Sequence, residues 1–290
     1  KSTTSEVEVS GGAQTTEFDI YADQYEANKH FFLAHYFKEN YNTALANLPF
    51  INSPINITKI EVWITNKTGI TEDTRNILSF LDLGETGPSE ANDYEGNIQN
   101  TDFTTFLPGI YPDNDGANDM YQHLLSQYSG IRNINQVNNE LSPLVGINFM
   151  GGQDYEKLER ARKLTESEFT LHPKLGYISL NQALNNDEVL AVAFQFTIGN
   201  QTYQVGELTS TGPTAPDALI VKLLKGTTFS PNLMNWELMM KNIYALGAYQ
   251  MSSNEFVLDV VYENTEESGA VTNYIPEGSI KGIPLIQLMN

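Results

Sequence analysis

The segment "YPDNDGANDMY", Tyr111 to Tyr121, holds the densest set of side chains able to do chemistry. Asp113, Asp115 and Asp119 stand around Gly116, as in part of a calcium loop, where a hard cation needs several oxygens on a tightly turning backbone. A full loop of that kind places a bidentate Glu at its twelfth position; counted from Asp113, Leu124 stands there. A solvated turn cluster explains the same residues, because Asp, Asn and Gly populate turns. Calcium at Asp113, Asp115 and Asp119 is the one metal candidate, and no other cofactor is expected.

Other chemistry finds little support. The chain has four histidines. His30 and His35 fall on one predicted helix, roughly 140° apart around it, so they do not converge on a metal. His123 and His172 have no nearby ligand partners in sequence. There is no G-x-S-x-G elbow, no H-E-x-x-H helix and no Walker or Rossmann glycine pattern. Asp187–Glu188 and Glu266–Glu267 are adjacent pairs, which in a strand point to opposite faces. The chain is therefore expected not to be an enzyme. Two alternatives stay open: a carbohydrate-binding or adhesive β-sandwich, with Trp63 or Tyr203 as an exposed stacking ring, and a hydrolase built from dispersed carboxylates. Asn56, Asn66 and Asn200 begin glycosylation sequons, as expected by chance in an Asn-rich chain.

The elements that must hold these residues read as follows. Lys1–Thr16 is a Ser/Thr/Gly-rich flexible lead, followed by a short strand in "TEFDIYA". Phe32, Tyr36, Phe37, Tyr41, Ala44, Leu45 and Leu48 follow a helical period over Asn28–Leu48, with Pro49 as its stop. The aromatic residues of that stripe, Phe31 included, read as core. In "ITKIEVWIT", Ile60, Val62 and Ile64 alternate with Glu61, Trp63 and Thr65, a strand. "NILSFLDLG" is a second strand or a short helix. Residues 85–120 form an acidic, loop-rich insertion, "DMYQHLLSQYSG" a short helix ending at Gly130, and "GGQDYEKLERARKL" a helix-compatible segment.

The remainder is cleaner. Val192, Phe194 and Phe196 share a strand face, Gly199–Asn200 makes a tight turn, and Tyr203 and Val205 return. "DALIVKLLK" is a covered strand. Ser230–Pro231 starts a helix whose stripe is Trp236, Met239, Met240 and Ile243, closed by Gly247. "EFVLDVVYE" alternates as a strand. The expected fold class is α+β: two mixed units, 17–149 and 150–290, with mainly antiparallel, sandwich-like sheets and a few packed helices.

Bulk composition narrows the partners. The 290 residues carry a formal net charge of -20, which disfavours nucleic acid and anionic lipid. Cysteine is absent, so disulfide and thiolate chemistry is excluded. Hydrophobic residues at 40% suffice for a real core. The first residues lack the apolar stretch of a signal peptide, and no apolar run is long enough for a transmembrane helix.

Long strings of the chain resemble the SprA family, gliding-motility proteins that also form the type IX secretion translocon of Bacteroidetes. They are "FFLAHYFKENYN", "ITKIEVWITN" and "RNILSFLDLGE" in the first half, then "KLTESEFTLHPKLGYISLNQALNNDEVLAVAFQFTIGNQTYQVGE", "LIVKLLK", "WELMMKNIYALGAYQ", "NYIPEG" and "PLIQLMN". The resemblance covers residues 17–85 and 150–290, and leaves 86–149 without a counterpart. It implies a non-catalytic structural module of a very large outer-membrane protein, contributing to a cap or gate of the pore. The implied partners are the remainder of the same chain, other secretion-system subunits and secreted cargo. The implied place is a soluble part associated with the outer membrane, on the extracellular face in preference to the periplasm, with no membrane insertion of its own.

Overall fold

Alternation and β-branched residues make Ile55–Ile64 and Leu190–Ile198 strands, and these two pair antiparallel end to end, Ile55 opposite Ile198 and Ile64 opposite Leu190. They anchor a computed structural model that describes residues 8–10, 13–15, 18–69, 71–85, 120–141, 149–247, 256–263, 270–271 and 278–288. The chain divides into two compact units, Lys1–Ala245 and Leu246–Asn290.

The first unit begins with β1 (Glu8–Ser10), β2 (Ala13–Thr15), β3 (His30–Phe32), α1 (His35–Glu39), α2 (Tyr41–Leu45), β4 (Ile55–Ile64) and β5 (Thr74–Phe80). It continues with α3 (Met120–Gln127), α4 (Val137–Glu140), β6 (Tyr155–Lys163), β7 (Phe169–His172) and β8 (Tyr177–Leu180). Last come β9 (Leu190–Ile198), β10 (Gln201–Val205), β11 (Leu219–Lys225) and α5 (Asn235–Leu238).

The main sheet closes on itself. β4 lies beside β9, β9 beside β11, β11 beside β5, β5 beside β6, and β6 returns to β4 through Trp63–Lys163 and Ile64–Arg162. Only β11–β5 is parallel among these pairs. The edge of β9 away from β4 is shared: β11 takes Leu190–Val192 and β10 takes Phe194–Ile198. Closing so small a ring requires sharp bending, and register shifts occur in β4 between Ile57 and Lys59, between β5 and β6, and in β11 between Leu223 and Lys225. Trp63, Phe80, Phe194, Phe196 and Leu223 fill a core shared with the sheet β3–β8–β7, which contributes Phe31 and Ile178. Each such buried ring contributes about 1.5–3 kcal/mol relative to an exposed one.

The sheet-rich α+β class, mainly antiparallel with short helices, is what the structure shows. Several local expectations change. A boundary near residue 150 does not separate compact units, because β4 and β5 precede it and β6, β9 and β11 follow it within one ring. The N-terminal lead contains a paired β1 and β2, with Ser10 opposite Ala13.

The helix over Asn28–Leu48 becomes β3, α1 and α2. Phe31, Phe32, Leu33, Ala34, Tyr36 and Phe37 are all buried, so no single helical face was being selected. "GGQDYEKLERARKL" contains β6 rather than a helix. Its partners explain the disguise: Arg75 and Ile77 are two apart on β5, yet Ala161 and Leu158 opposite them are three apart. Arg160, at φ 52°, lies in the bulge. The resulting three-residue spacing of buried Leu158 and Ala161 imitates a helical period.

After Leu238 the chain turns extended at Met239 (ψ 126°) and bridges to Phe31, so the predicted helix shortens to α5. In the second unit, β12 (Tyr262–Glu263) pairs with β13 (Ala270–Val271), and α6 spans Leu285–Leu288. Among the described residues of "EFVLDVVYE", only Tyr262–Glu263 is strand.

Candidate functional site: charged clusters buried against the ring

Strand β11 reads Leu-Ile-Val-Lys-Leu-Leu-Lys, and every residue in it is buried. Both lysines are fully enclosed. An ammonium ion inside a protein needs opposite charge or several carbonyls, and each lysine has found one solution.

Lys222 Nζ lies 2.6 Å from Glu85 Oε1 and also donates to the carbonyl of Leu81. His35, first residue of α1, brings its Nδ1 to 3.1 Å from the same carboxylate. The backbone N–H of His35 donates to Glu85 at 3.3 Å, and His35 Nε2 donates to the Met234 carbonyl at 3.0 Å. Burial alone would raise the Glu85 carboxyl; the Lys222 ammonium and then His35 overcome it and hold it at about 2. Asp82, one turn earlier, behaves oppositely. Its burial pushes it up to about 7, against the pull of Lys222 and His35. Asp154, just before β6, is raised by burial to about 6, although its Oδ2 accepts the Met150 N–H at 2.8 Å. The cluster therefore joins β11, α1, the Leu81–Glu85 turn and the lead into β6.

Lys225 uses carbonyls. Its Nζ donates to Glu188 O at 2.7 Å, Asn186 O at 2.9 Å and Asn185 O at 3.2 Å, and lies 5.5 Å from the Phe229 ring centroid. Burial lowers its pKa, while Glu188 and Asp187 act the other way. The 185–188 turn is thereby fastened to the ring.

A third cluster fastens the α3–α4 segment. Arg132 makes a two-pronged contact with Glu207, Nη2 to Oε1 at 2.6 Å and Nη1 to Oε2 at 3.0 Å. The Tyr121 hydroxyl donates to Glu207 Oε1, and the Ile220 N–H donates to Oε2 at 2.9 Å. Burial, then Glu207, raises the Tyr121 hydroxyl, and the hydrogen bond to Glu207 raises Arg132.

Asp113, Asp115 and Asp119 lie outside the described residues, as does Glu266–Glu267. His30 and His35 do not meet. His30 Nδ1 is 2.8 Å from Ser179 Oγ and Nε2 is 2.9 Å from Glu26, whereas His35 belongs to the Lys222 cluster. His172 stacks on Tyr177 at 4.0 Å between ring centroids, and the His123 side chain is not described. Asp187 pairs with Lys67 at 2.5 Å, while Glu188 accepts the Asn185 N–H at 2.6 Å. Trp63 is 1% exposed, which removes it as a stacking ring, and Tyr203 stacks on Phe196. Among the described residues no group of three or more His, Cys, Asp or Glu is arranged to hold a metal. A pocket of about 210 Å³ lies beside α1 and α2, lined in part by Tyr36, Asn40, Tyr41, Asn52 and Lys174. That is below the usual size of a ligand site, roughly 300–1,000 Å³.

Lys222, Glu85, Asp82, Asp154 and Lys225 were not singled out by sequence reasoning. The available signal was two lysines inside an otherwise apolar strand, a pattern that requires buried partners.

A family model described as "Motility related/secretion protein" matches residues 1–185, running through 86–149. No curated protein matches the chain. The ring needs β9 and β11, so residue 185 is not a boundary of the fold.

Proposed function

The chain belongs to the SprA family of motility-related/secretion proteins, and on that premise we propose that it is a non-catalytic structural module of a very large outer-membrane translocon. In this reading it serves type IX secretion and gliding motility and contributes to a cap or gate of the pore. The observation that carries the reading is where the buried charge goes. Lys222, Lys225 and Arg132 each tie a loop or helix to the closed sheet, so these groups act on the fold itself.

A module beside a passage for folded cargo needs a fixed shape and a wet outer surface. Net charge of -20 favours such a surface and discourages acidic cargo from sticking. Its partners in this reading are the remainder of the same large chain, other secretion-system subunits and the cargo. Its place is the soluble, extracellular side of the outer membrane. No described helix is long and apolar enough to cross a membrane, which fits a module whose anchorage comes from elsewhere in the assembly.

Antibody raised against this segment, used on fractionated native cells, tests the reading. A band several times larger than 32.4 kDa and confined to the outer membrane is the expected result. A soluble band near that mass would overturn it. Protease shaving of intact cells then assigns the side: loss of the epitope marks the extracellular face, and survival the periplasm.

A further inference from the structure

We propose that the pocket beside α1 and α2 is a binding site for one hydroxylated ring that carries a carboxylate, the chemistry of a uronic acid residue. Its volume is about 210 Å³. That is too small for a drug-sized molecule, yet it admits a single sugar ring.

The walls are fixed before any ligand arrives. Asn40, between α1 and α2, donates to the Tyr36 carbonyl through its backbone N–H at 3.0 Å and its side-chain Nδ2 at 2.9 Å. The Ala44 N–H donates to the Asn40 carbonyl and the Asn52 N–H to the Ala44 carbonyl, both at 2.9 Å, which ties residues 52–54 to α2. Lys174 and Leu175 form another wall, in the β7–β8 turn. That turn is held by the Leu33 N–H on the Gly176 carbonyl at 2.9 Å and the Ile57 N–H on the Pro173 carbonyl at 3.0 Å. The Tyr41 ring is braced edge-on by Phe32 and Tyr177, at 5.5 and 6.2 Å between centroids. A site anchored in this way loses little conformational freedom on binding.

The uncommitted polar groups select the ligand. Among the described residues, the Tyr41 and Thr43 hydroxyls, the Asn52 amide and the Lys174 ammonium make no side-chain hydrogen bond or ion pair, and all four residues line the pocket. Hydroxyls and an amide both donate and accept, as neighbouring sugar hydroxyls require. Phe37, Leu175 and the Tyr41 ring supply apolar surface for the C–H face of the ring. Charge then separates an acidic sugar from a neutral one. The chain has 36 acidic residues against 16 basic, yet no Asp or Glu lines this pocket and the exposed Lys174 does. One ammonium matches one carboxylate.

Amide chemical shifts of the intact chain, titrated with sodium glucuronate at low salt, test the site. Saturable shifts at Tyr41, Thr43, Asn52 and Lys174 with a millimolar dissociation constant are expected. Glucose should bind the same residues about tenfold more weakly, and Lys174→Gln should bring glucuronate down to the level of glucose while leaving glucose unchanged. Asn52→Ala should weaken both sugars. Lys174 and Asn52 are exposed, so both variants should keep the dispersed spectrum of the parent. Acetate and N-acetylphenylalanine, which offer a carboxylate without the hydroxyls, should not saturate. Absence of saturable shifts with glucuronate, equal binding of either hydroxyl-free carboxylate, or undiminished glucuronate affinity in Lys174→Gln would overturn the proposal.

Discussion

Lys222 and Lys225 project from the same face of β11 although they stand three positions apart in the chain. Their partners on β9, Val192 and Leu190, are two apart, so the register shift between Leu223 and Lys225 absorbs the extra residue and restores the face. One bulge thus gives the ring two buried cations side by side along a strand. The first ties down Leu81–Glu85 and α1, the second the 185–188 turn.

The two lysines should differ in what their removal costs. Lys222→Met leaves Glu85 without its ammonium partner, and breaking a buried pair in this way costs about 3–5 kcal/mol. Lys225→Met uncovers carbonyls, each able to relax toward water, and should cost about 1–3 kcal/mol. Urea unfolding of the three proteins checks the order. Equal losses would mean that the carboxylate is not what makes Lys222 matter.

Glu85 gives the fold's stability an acid limb. Its carboxyl is held down at about 2 from 4.5, so its stabilising contribution is present above pH 4.5 and is lost as pH falls through about 2. Because the stability tied to the raised Asp82 and Asp154 carboxyls is already being lost above 3.8, the cluster's greatest contribution falls in a window around pH 4. Denaturant midpoints from pH 2 to 9 should trace a maximum in that window. Glu85→Gln should lower the maximum and remove much of the acid slope; an unchanged slope would assign acid sensitivity to other carboxylates.

How far the sequence could be read depends on whether neighbours in space are neighbours in the chain. The β9–β10 hairpin was legible because alternation and Gly199 at φ 58° are local facts. Strand β11 was legible as a covered strand for the same reason. Strand β6 was not, since a bulge at Arg160 converts a two-residue period into three. Nor was the charged junction, whose members stand at 35, 82, 85, 154 and 222. Nothing in any one segment announces the others, apart from the oddity of lysines within an apolar run.

Gly176 and Gly199 offer a controlled comparison of two positive-φ glycines. A Cβ on Gly176 would fall 2.0 Å from the Phe37 ring, whereas one on Gly199 would meet nothing within 4 Å. Gly199→Ala should therefore show only the backbone cost, roughly 1–2 kcal/mol. Gly176→Ala adds overpacking of about 1–3 kcal/mol, because the β7–β8 turn is seated directly on α1. Thermal unfolding of both variants tests this. Equal shifts would mean that the hairpin lifts off Phe37 at little cost.

Closure of the ring makes the last prediction a matter of topology. A chain ending at Asn185 keeps β4, β5 and β6 but loses β9 and β11, the strands that join β4 to β5 around the far side. What remains is an open arrangement in which β4 is paired to β6 through Trp63–Lys163 and Ile64–Arg162, with Ile57, Val62 and Ile77 stripped of cover. Glu85 would also lose Lys222, leaving a carboxylate that was formerly paired inside the protein. The truncated chain should lack dispersed amide resonances and cooperative unfolding, while 1–245 should retain both, because it contains every strand of the ring. A cooperatively folding 1–185 fragment would show that β4, β5 and β6 carry their own core, and that the ring is an addition to a smaller domain.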